Sequence, residues 1–368
     1  MKRKNLIKNR EDICWIFRLK EEVPQFLGKL RGYKVPGFFQ YSLSGDLYNE
    51  DIKWGLGNTV FAVKIYFTLG LINGLSEKEK KSIEDFIISF QNDDGTIYDP
   101  LVKRKSFFRT KLLAIKNLDF FNFFSQRTII AETRQAISAL NLLGRNPNFL
   151  YQKFPKTTEE IDRHLNKLDW STPWSAGSHF SHLIFFLENS ELEYKEDLID
   201  FTIYWVSKLQ NYRDGVWYKG NPTLRQKING AMKVITGLKV AGKMNIKYPE
   251  KLIDLCLLAK NDEHACDNFN VIYVLHYASK MAKENYRFDE IRKFSIDRLE
   301  IYKNYYFPEL GGFSFLPNRS NMYYYGAKIT KGLYEPDIHG TVMFLWGISI
   351  IAQILGIEKE LGFKEQIP

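Results

Sequence analysis

Two kinds of hydrophobic segment alternate along the chain. Segments of the first kind are apolar on nearly every side and begin with small or polar residues; they are 54–71, 131–144, 176–187, 225–242, 266–280 and 337–356. Segments of the second kind are rich in charge and space their apolar residues as i, i+3, i+4; they are roughly 10–30, 78–91, 157–168, 195–210, 249–260 and 286–303. A helix that is apolar all round is buried, whereas a helix with one polar face borders solvent.

This alternation predicts an all-α protein. The simplest arrangement is an (α/α)6 toroid, in which an inner ring of six buried helices is surrounded by an outer ring of six amphipathic helices. Runs with strand-like alternation are scarce. We therefore expect residues 1–368 to form a single toroid domain, although a chain of this length could also hold two domains.

A short motif recurs where an amphipathic segment leads into a buried one. The two copies are FIISFQNDDGTIYDP at 86–100 and YWVSKLQNYRDGVWYKG at 204–220, and ELGGFSFLP at 309–317 is a degenerate third copy. Each full copy places a glutamine before an Asp-Gly turn and a bulky apolar residue just after it. Glycine tolerates the positive φ that such a tight turn needs. The motif therefore predicts sharp turns from outer to inner helices.

The same motif resembles the QW motif of the terpenoid cyclases related to squalene–hopene cyclase. In addition, DIHGTVMFLWGISIIAQ at 337–353 is similar to the last inner helix of protein prenyltransferase β subunits. The resemblance implies the toroid fold and a prenyl substrate in a central cavity. It also implies that Gln91, Gln210 and Trp217 are structural rather than catalytic.

The chain departs from the zinc site of the prenyltransferases. The resemblance aligns Asp267 and His339 with two of the zinc ligands, but Phe269 stands where the thiolate ligand should be. Protein prenylation is therefore disfavoured. A different metal site that uses His264, Cys266 and His339 stays open, and we predict no other cofactor.

The chain also lacks the acidic elements of the terpenoid cyclases. No DxDD sequence is present, and the adjacent Asp93 and Asp94 belong to a turn rather than to a magnesium-binding cluster. A protonated aspartate is the general acid that such a cyclase requires. Asp267 and Asp337, tuned by His339, are the catalytic candidates that this sequence offers.

Further candidates lie at the starts of the buried segments, where a toroid opens to its cavity. Aromatic rings there could stabilise a carbocation or stack on a sugar. A histidine or arginine could hold an anionic group. For most of the rings, filling the core is an alternative role. The predicted substrate-binding residues are Trp54, Glu132, Arg134, Trp174, His179, His182, Asn229 and Tyr334.

Three classes of function follow. The first is a terpenoid-cyclase-like enzyme acting on an isoprenoid, the second a glycan-active (α/α)6 lyase, hydrolase or epimerase, and the third a non-catalytic toroid that binds a lipid or a protein.

The net charge of +9 includes basic patches at 1–10 and 102–111, which leaves peripheral membrane contact open. No nucleic-acid-binding module is recognisable. The N-terminus lacks the apolar stretch of a signal peptide, so we expect a cytoplasmic protein.

Overall fold

The computed structural model describes residues 13–105, 111 and 127–366. The basic patch at 1–10 and half of the patch at 102–111, residues 106–110, lie outside these residues. The described part is mostly helical, as the sequence predicted. Its longer helices are α1 Trp15–Leu30, α2 Leu56–Thr68, α3 Glu77–Ile88, α4 Arg127–Leu143, α5 Thr158–Lys167, α6 Pro173–Glu188, α7 Lys195–Ser207, α8 Leu224–Val240, α9 Pro249–Leu257, α10 Ala265–Met281, α11 Phe288–Lys303 and α12 Ile338–Leu355.

Shorter elements complete the described chain. Two antiparallel hairpins lie between α11 and α12; their strands are β1 Tyr306–Phe307, β2 Gly312–Phe313, β3 Tyr323–Tyr324 and β4 Ala327–Lys328. A 3₁₀ turn spans Ile72–Gly74, and α13 spans Glu358–Leu361. All twelve segments that the hydrophobic pattern assigned to helices are helical, so that prediction is confirmed.

The even-numbered helices pack in a closed circuit. Helix α2 contacts α4, α4 contacts α6, α6 contacts α8, α8 contacts α10, α10 contacts α12, and α12 returns to α2. The odd-numbered helices pack against them, for example α7 against α6 and α9 against α10. Helix α10 buries residues on every side, whereas α3 buries Ile83 and Ile87. The difference between these two helices is the one that the hydrophobic pattern predicted.

Local chemistry fixes several helix ends. Ser76 and Glu79 form a reciprocal capping box at the start of α3. Pro173 occupies the first position of α6, where its missing N–H costs nothing. Helix α12 starts at the N-cap Asp337 and ends at Gly356, which adopts a φ of 74°.

The glutamines of the repeated motif join each turn to the loop before the next odd-numbered helix. Gln210 Nε2 donates to the carbonyl oxygen of Gly215 at 2.8 Å, and Gln210 Oε1 accepts from the Lys247 N–H at 3.0 Å. Gln91 likewise binds the backbone of residues 148 and 149. Trp217 is only 1% exposed beneath its turn. These contacts support the structural role that the resemblance implied.

The degenerate third copy connects the last amphipathic helix to the first. Gly311 has a φ of 77°, and a Cβ placed on it would lie 2.4 Å from the carbonyl oxygen of Glu22 in α1. Phe313, which follows the turn, is fully buried and its strand β2 contacts both α1 and α12. The third turn therefore packs the end of the helical circuit onto its beginning.

The C-terminal segment contacts the C-terminal parts of α2, α10 and α12. The Lys364 N–H donates to the Thr68 carbonyl oxygen at 2.7 Å, and Gln366 Nε2 donates to Thr68 Oγ1 at 2.9 Å. Glu365 accepts hydrogen bonds from Tyr277 of α10 and from Gln353 of α12. This segment closes one end of the helical circuit.

Helix α12 is, among the described residues, the one helix long and apolar enough to cross a membrane. Most of it, 78%, is buried inside the fold. Its apolar character therefore belongs to a core helix, as the all-round apolar pattern of 337–356 predicted.

Candidate functional site

A cavity of about 460 Å³ lies inside the circuit, a size typical of small-molecule sites. Each even-numbered helix contributes to its wall, and the segment 315–325, which runs from the first hairpin to the turn of the second, completes it. The six helices contribute, in chain order, Phe61, Arg134, His182, Lys233, Asn270 and His339 among others. The cavity is therefore a property of the whole circuit and not of one pair of helices.

Aromatic rings form much of the wall. They include Phe61, Phe315, Tyr324 and Trp346. The His339 ring stacks on Phe61 with 4.6 Å between centroids and 14° between planes, and it lies 4.5 Å from the Phe315 ring. This surface suits an apolar or cationic group, because ring faces attract both.

The tip of the second hairpin is held in an unusual backbone conformation. Tyr325 has a φ of 44° and Gly326 has a φ of 86°. Two consecutive positive φ values are typical of a type I′ hairpin turn, whose first position normally carries asparagine, aspartate or glycine. A bulky residue there is strained. The turn places the Tyr325 side chain in the lining of the cavity.

Of the three predicted catalytic residues, His339 lines the cavity. Its Nδ1 lies 3.1 Å from the hydroxyl of Tyr41. Burial lowers the pKa of His339 to about 3, so the imidazole is neutral at physiological pH. A neutral imidazole can accept a hydrogen bond or a proton, but it is not a charged acid.

Asp337 lies behind the wall as the N-cap of α12. Its Oδ1 accepts from the Gly340 N–H at 2.7 Å, and its Oδ2 accepts from the N–H groups of Phe315 and Asn321 at 2.8 and 3.0 Å. The side chain is fully buried. Burial raises the pKa of Asp337 to about 7, although these backbone N–H groups act in the opposite direction.

Asp267 lies at the centre of a buried polar network. It accepts from Asn229 Nδ2 at 2.8 Å and pairs with the Arg225 guanidinium at 2.9 Å. The next polar group is His264, whose Nδ1 accepts the Asp267 N–H at 3.3 Å. Asp267 is fully buried, and its side-chain hydrogen bonds and ion pairs among the described residues are with Arg225, Asn229 and His264 rather than with His339. The rings of His264, Phe315 and His339 stack in sequence.

Three of the eight predicted substrate-binding residues line the cavity, namely Arg134, Trp174 and His182. His182 carries a buried Nδ1 with no hydrogen-bond partner among the described residues, and burial holds its pKa well below the usual value. His179 lies next to it, with 6.1 Å between the two ring centroids, outside the lining.

The other predicted binding residues are occupied elsewhere. Glu132 Oε2 accepts the Asp99 N–H at 3.0 Å, and Asn229 bridges Asp267 and Asn270. Trp54 packs against Phe38 and donates its indole N–H to Asn49. Each of these side chains makes at least one hydrogen bond within the fold, although Glu132 Oε1 is buried without a partner among the described residues.

Tyr334 is the clearest departure from the predicted placement. Its side chain is 75% exposed and packs its ring against Phe307. The residue follows the second hairpin on the outside of the segment, so it does not belong to the cavity lining.

The sequence reasoning missed Lys64, Lys233, Tyr324 and Tyr325. A signal for Lys64 was present, because it is the one charged residue within NTVFAVKIYFT, a segment that is otherwise apolar or neutral. A lysine inside a helix that is buried on every side is rare unless its charge is paired. The hairpin tyrosines had no such signal, since loop residues have no periodicity to place them.

The described residues hold no group of three or more histidine, cysteine, aspartate or glutamate side chains placed to bind a metal ion. At the position of the missing thiolate, the Phe269 ring is fully buried and lies 4.2 Å from the Trp346 ring. His264 is engaged by Arg225 and by the α10 backbone. Comparison with protein-family models and with curated proteins gives no match for this chain.

Proposed function

We propose that the chain forms an (α/α)6 toroid and acts on an isoprenoid small molecule in its central cavity, as a terpenoid-cyclase-like enzyme. The circuit of buried helices and the surrounding amphipathic helices support the toroid. The turns held by hydrogen bonds from Gln91 and Gln210 support the resemblance to the cyclases.

The observation that carries the proposed substrate is the aromatic wall of the cavity. Phe61, Phe315, Tyr324 and Trp346 surround a space with the volume of a small ligand. An aromatic wall suits a flexible apolar chain and any carbocation formed from it. A glycan-active enzyme would instead be expected to show an elongated open cleft for a sugar chain.

Asp337 is the acid that we propose for this chemistry. Its pKa of about 7 keeps part of it protonated at neutral pH, and it lies two residues from His339, which reaches the cavity.

A second candidate function is non-catalytic binding of the same kind of ligand. The specific observation in its favour concerns the carboxylate oxygens of Asp267 and Asp337. Each of them already lies within hydrogen-bonding distance of a donor in the fold. On this alternative the carboxylates only stabilise the helix ends, and the cavity stores or presents a lipid.

The test is incubation with a panel of prenyl diphosphates and, separately, uronate-containing oligosaccharides, with products followed by mass spectrometry. We expect an isoprenoid product that Asp337→Asn abolishes. Asp46→Asn is the matched control, because Asp46 is also bonded by two backbone N–H groups and its pKa is also raised to about 7 by burial. Loss of product in both variants would contradict a specific role for Asp337.

The remaining outcomes separate the other classes. Tight binding of a prenyl ligand without turnover would favour the non-catalytic function. Turnover of a glycan without any response to prenyl ligands would overturn the isoprenoid proposal. A cytoplasmic location stays a prediction from the sequence.

A further inference from the structure

Besides the exposed Arg127, three buried or half-buried basic side chains from three different helices line the same cavity. They are Lys64 of α2, Arg134 of α4 and Lys233 of α8. Lys64 and Arg134 are each only 4% exposed, and Lys233 is half-buried. Within the described chain, no aspartate or glutamate contributes to the lining of this cavity.

These cations lack the partners that buried charges normally have. Lys64 Nζ contacts the amide oxygen of Gln135. The Arg134 guanidinium lies 5.7 Å from the centre of the Phe185 ring, and its Nε is buried without a hydrogen-bond partner among the residues described. None of the three forms an ion pair with a described carboxylate.

Arg298 shows how this fold treats a buried guanidinium that has a structural role. Arg298 is 3% exposed, almost the same as Arg134. Its nitrogens donate to the carbonyl oxygens of Ala259 at 2.9 Å, of Lys260, and of Asn261 at 3.4 Å. Arg134 has no comparable set of acceptors within the described part of the protein.

A cluster of buried, unpaired positive charges is unfavourable by itself. The consequence is visible in the ionisation of each group. Burial, and then the charges of Arg134 and Lys233, hold the pKa of Lys64 well below its usual value. Burial and the neighbouring Arg134 lower the pKa of Lys233 to about 8, and burial lowers the pKa of Arg134 to about 10. An anion in the cavity would relieve this repulsion.

We propose that Lys64, Arg134 and Lys233 bind the oxyanion group, a phosphate or a carboxylate, of the small molecule that occupies the cavity. The apolar part of that molecule then lies against Phe61 and Trp346, which line the same space. The ligand is thus an amphiphile with a charged oxygen-rich head and an apolar body. This assignment rests on the proposed function for the site but adds the chemistry of the head group.

The test compares four probes by thermal shift and by calorimetric titration: n-decyl phosphate, decanoate, decanol and inorganic phosphate. The variant is Arg134→Met, which keeps the length and apolar character of the side chain and removes its charge. Arg298→Met is the matched control, because the two arginines are equally buried and differ in their partners.

We expect decyl phosphate, decanoate or both to raise the melting temperature of the native chain, and decanol to have little effect. The probe that gives the larger shift identifies the head group as phosphate-like or carboxylate-like. In Arg134→Met the dissociation constant of that probe should rise about tenfold or more, because a hydrogen bond to a charged group is lost.

The ligand-free variants give a second, independent readout. Arg134→Met should melt at the same temperature as the native chain or about 1–3 °C higher, since it removes an unpaired buried charge. Arg298→Met should melt lower, because it leaves buried carbonyl groups without donors. This difference would not be seen if Arg134 were simply part of the packing.

Two results would overturn the assignment: equal binding of the anionic probes by the native chain and Arg134→Met, or destabilisation of Arg134→Met as large as that of Arg298→Met. The two proposals fail separately. Anion binding without turnover of any prenyl substrate would remove the enzyme function only. Turnover with a KM unaffected by Arg134→Met would remove the head-group site only.

Discussion

Replacing Gln210 by alanine should destabilise the fold more than the same change at Gln91. Both glutamines hold a turn of the repeated motif, so the two substitutions remove the same atoms from equivalent positions. The two positions differ in burial. Gln210 is 8% exposed and its Gly215 acceptor is buried, whereas the backbone bonded by Gln91 belongs to the exposed residues 148 and 149.

The magnitude follows from what each change leaves behind. Gln210→Ala leaves the buried Gly215 carbonyl without its 2.8 Å donor, which costs about 1–3 kcal/mol. The Lys247 N–H also loses its acceptor, but Lys247 is exposed and water can replace the bond at about 1 kcal/mol. We therefore expect a loss of about 2–4 kcal/mol. Gln91→Ala should cost only about 1 kcal/mol, because water reaches its partners.

The assay is urea unfolding followed by far-UV circular dichroism, with both variants and the native chain measured side by side. The expected result is a lower midpoint for both variants and a shift for Gln210→Ala at least about twice that for Gln91→Ala, at unchanged slope. Equal shifts would refute the reasoning, because burial would then not determine how much stability is lost with the glutamine hydrogen bonds. A negligible shift for Gln210→Ala would show that the turn holds without its glutamine.

Two other predictions concern the start of α12. Burial raises the pKa of Asp337 from its unfolded value near 3.8 to about 7, so the folded state binds the proton more tightly and stability should fall as pH rises from about 4 to 7. Asp337→Asn keeps an N-capping oxygen but cannot ionise, so urea midpoints measured across this range should fall less; an unchanged pH profile would contradict the shift. Gly340→Ala should cost about 1–3 kcal/mol or more in the same titration, because its Cβ would lie 2.3 Å from the carbonyl carbon of Ser314. Gly28→Ala, which meets nothing within 4 Å, is the control and should be neutral or stabilising.

The hydrophobic pattern predicted the helices well because each helix is decided locally. A helix that is apolar all round, such as α12, cannot be stable at the surface, and one with a single apolar stripe, such as α3, cannot be buried on all sides. The turns were equally local, since Gly95 and Gly215 adopt positive φ values of 79° and 75° within their own motif. The boundaries at Pro173 and Asp337 follow from chemistry within one helical turn.

The candidate site was predicted less well, because position at a helix start does not say what a side chain contacts. Asp267 and Glu132 lie in the N-terminal halves of their helices, but neither lines the cavity, and each is bonded to groups outside its own helix. Glu132 binds the Asp99 N–H, and Asp267 binds Arg225 and Asn229 of α8. Spacing within one helix cannot show that a carboxylate already accepts hydrogen bonds from another part of the chain.

The sequence by itself determined which segments are helical, which of them are buried, and where the chain turns sharply, because these depend on periodicity and on glycine within a few residues. Only the tertiary structure decided that Lys64, Arg134 and Lys233 share one cavity and that Asp337 lies behind its wall. Both outcomes depend on how each helix is rotated about its axis and on partners far away in the chain, such as Tyr41 beside His339. Close packing of all six buried helices fixes those rotations together, so no single segment encodes them.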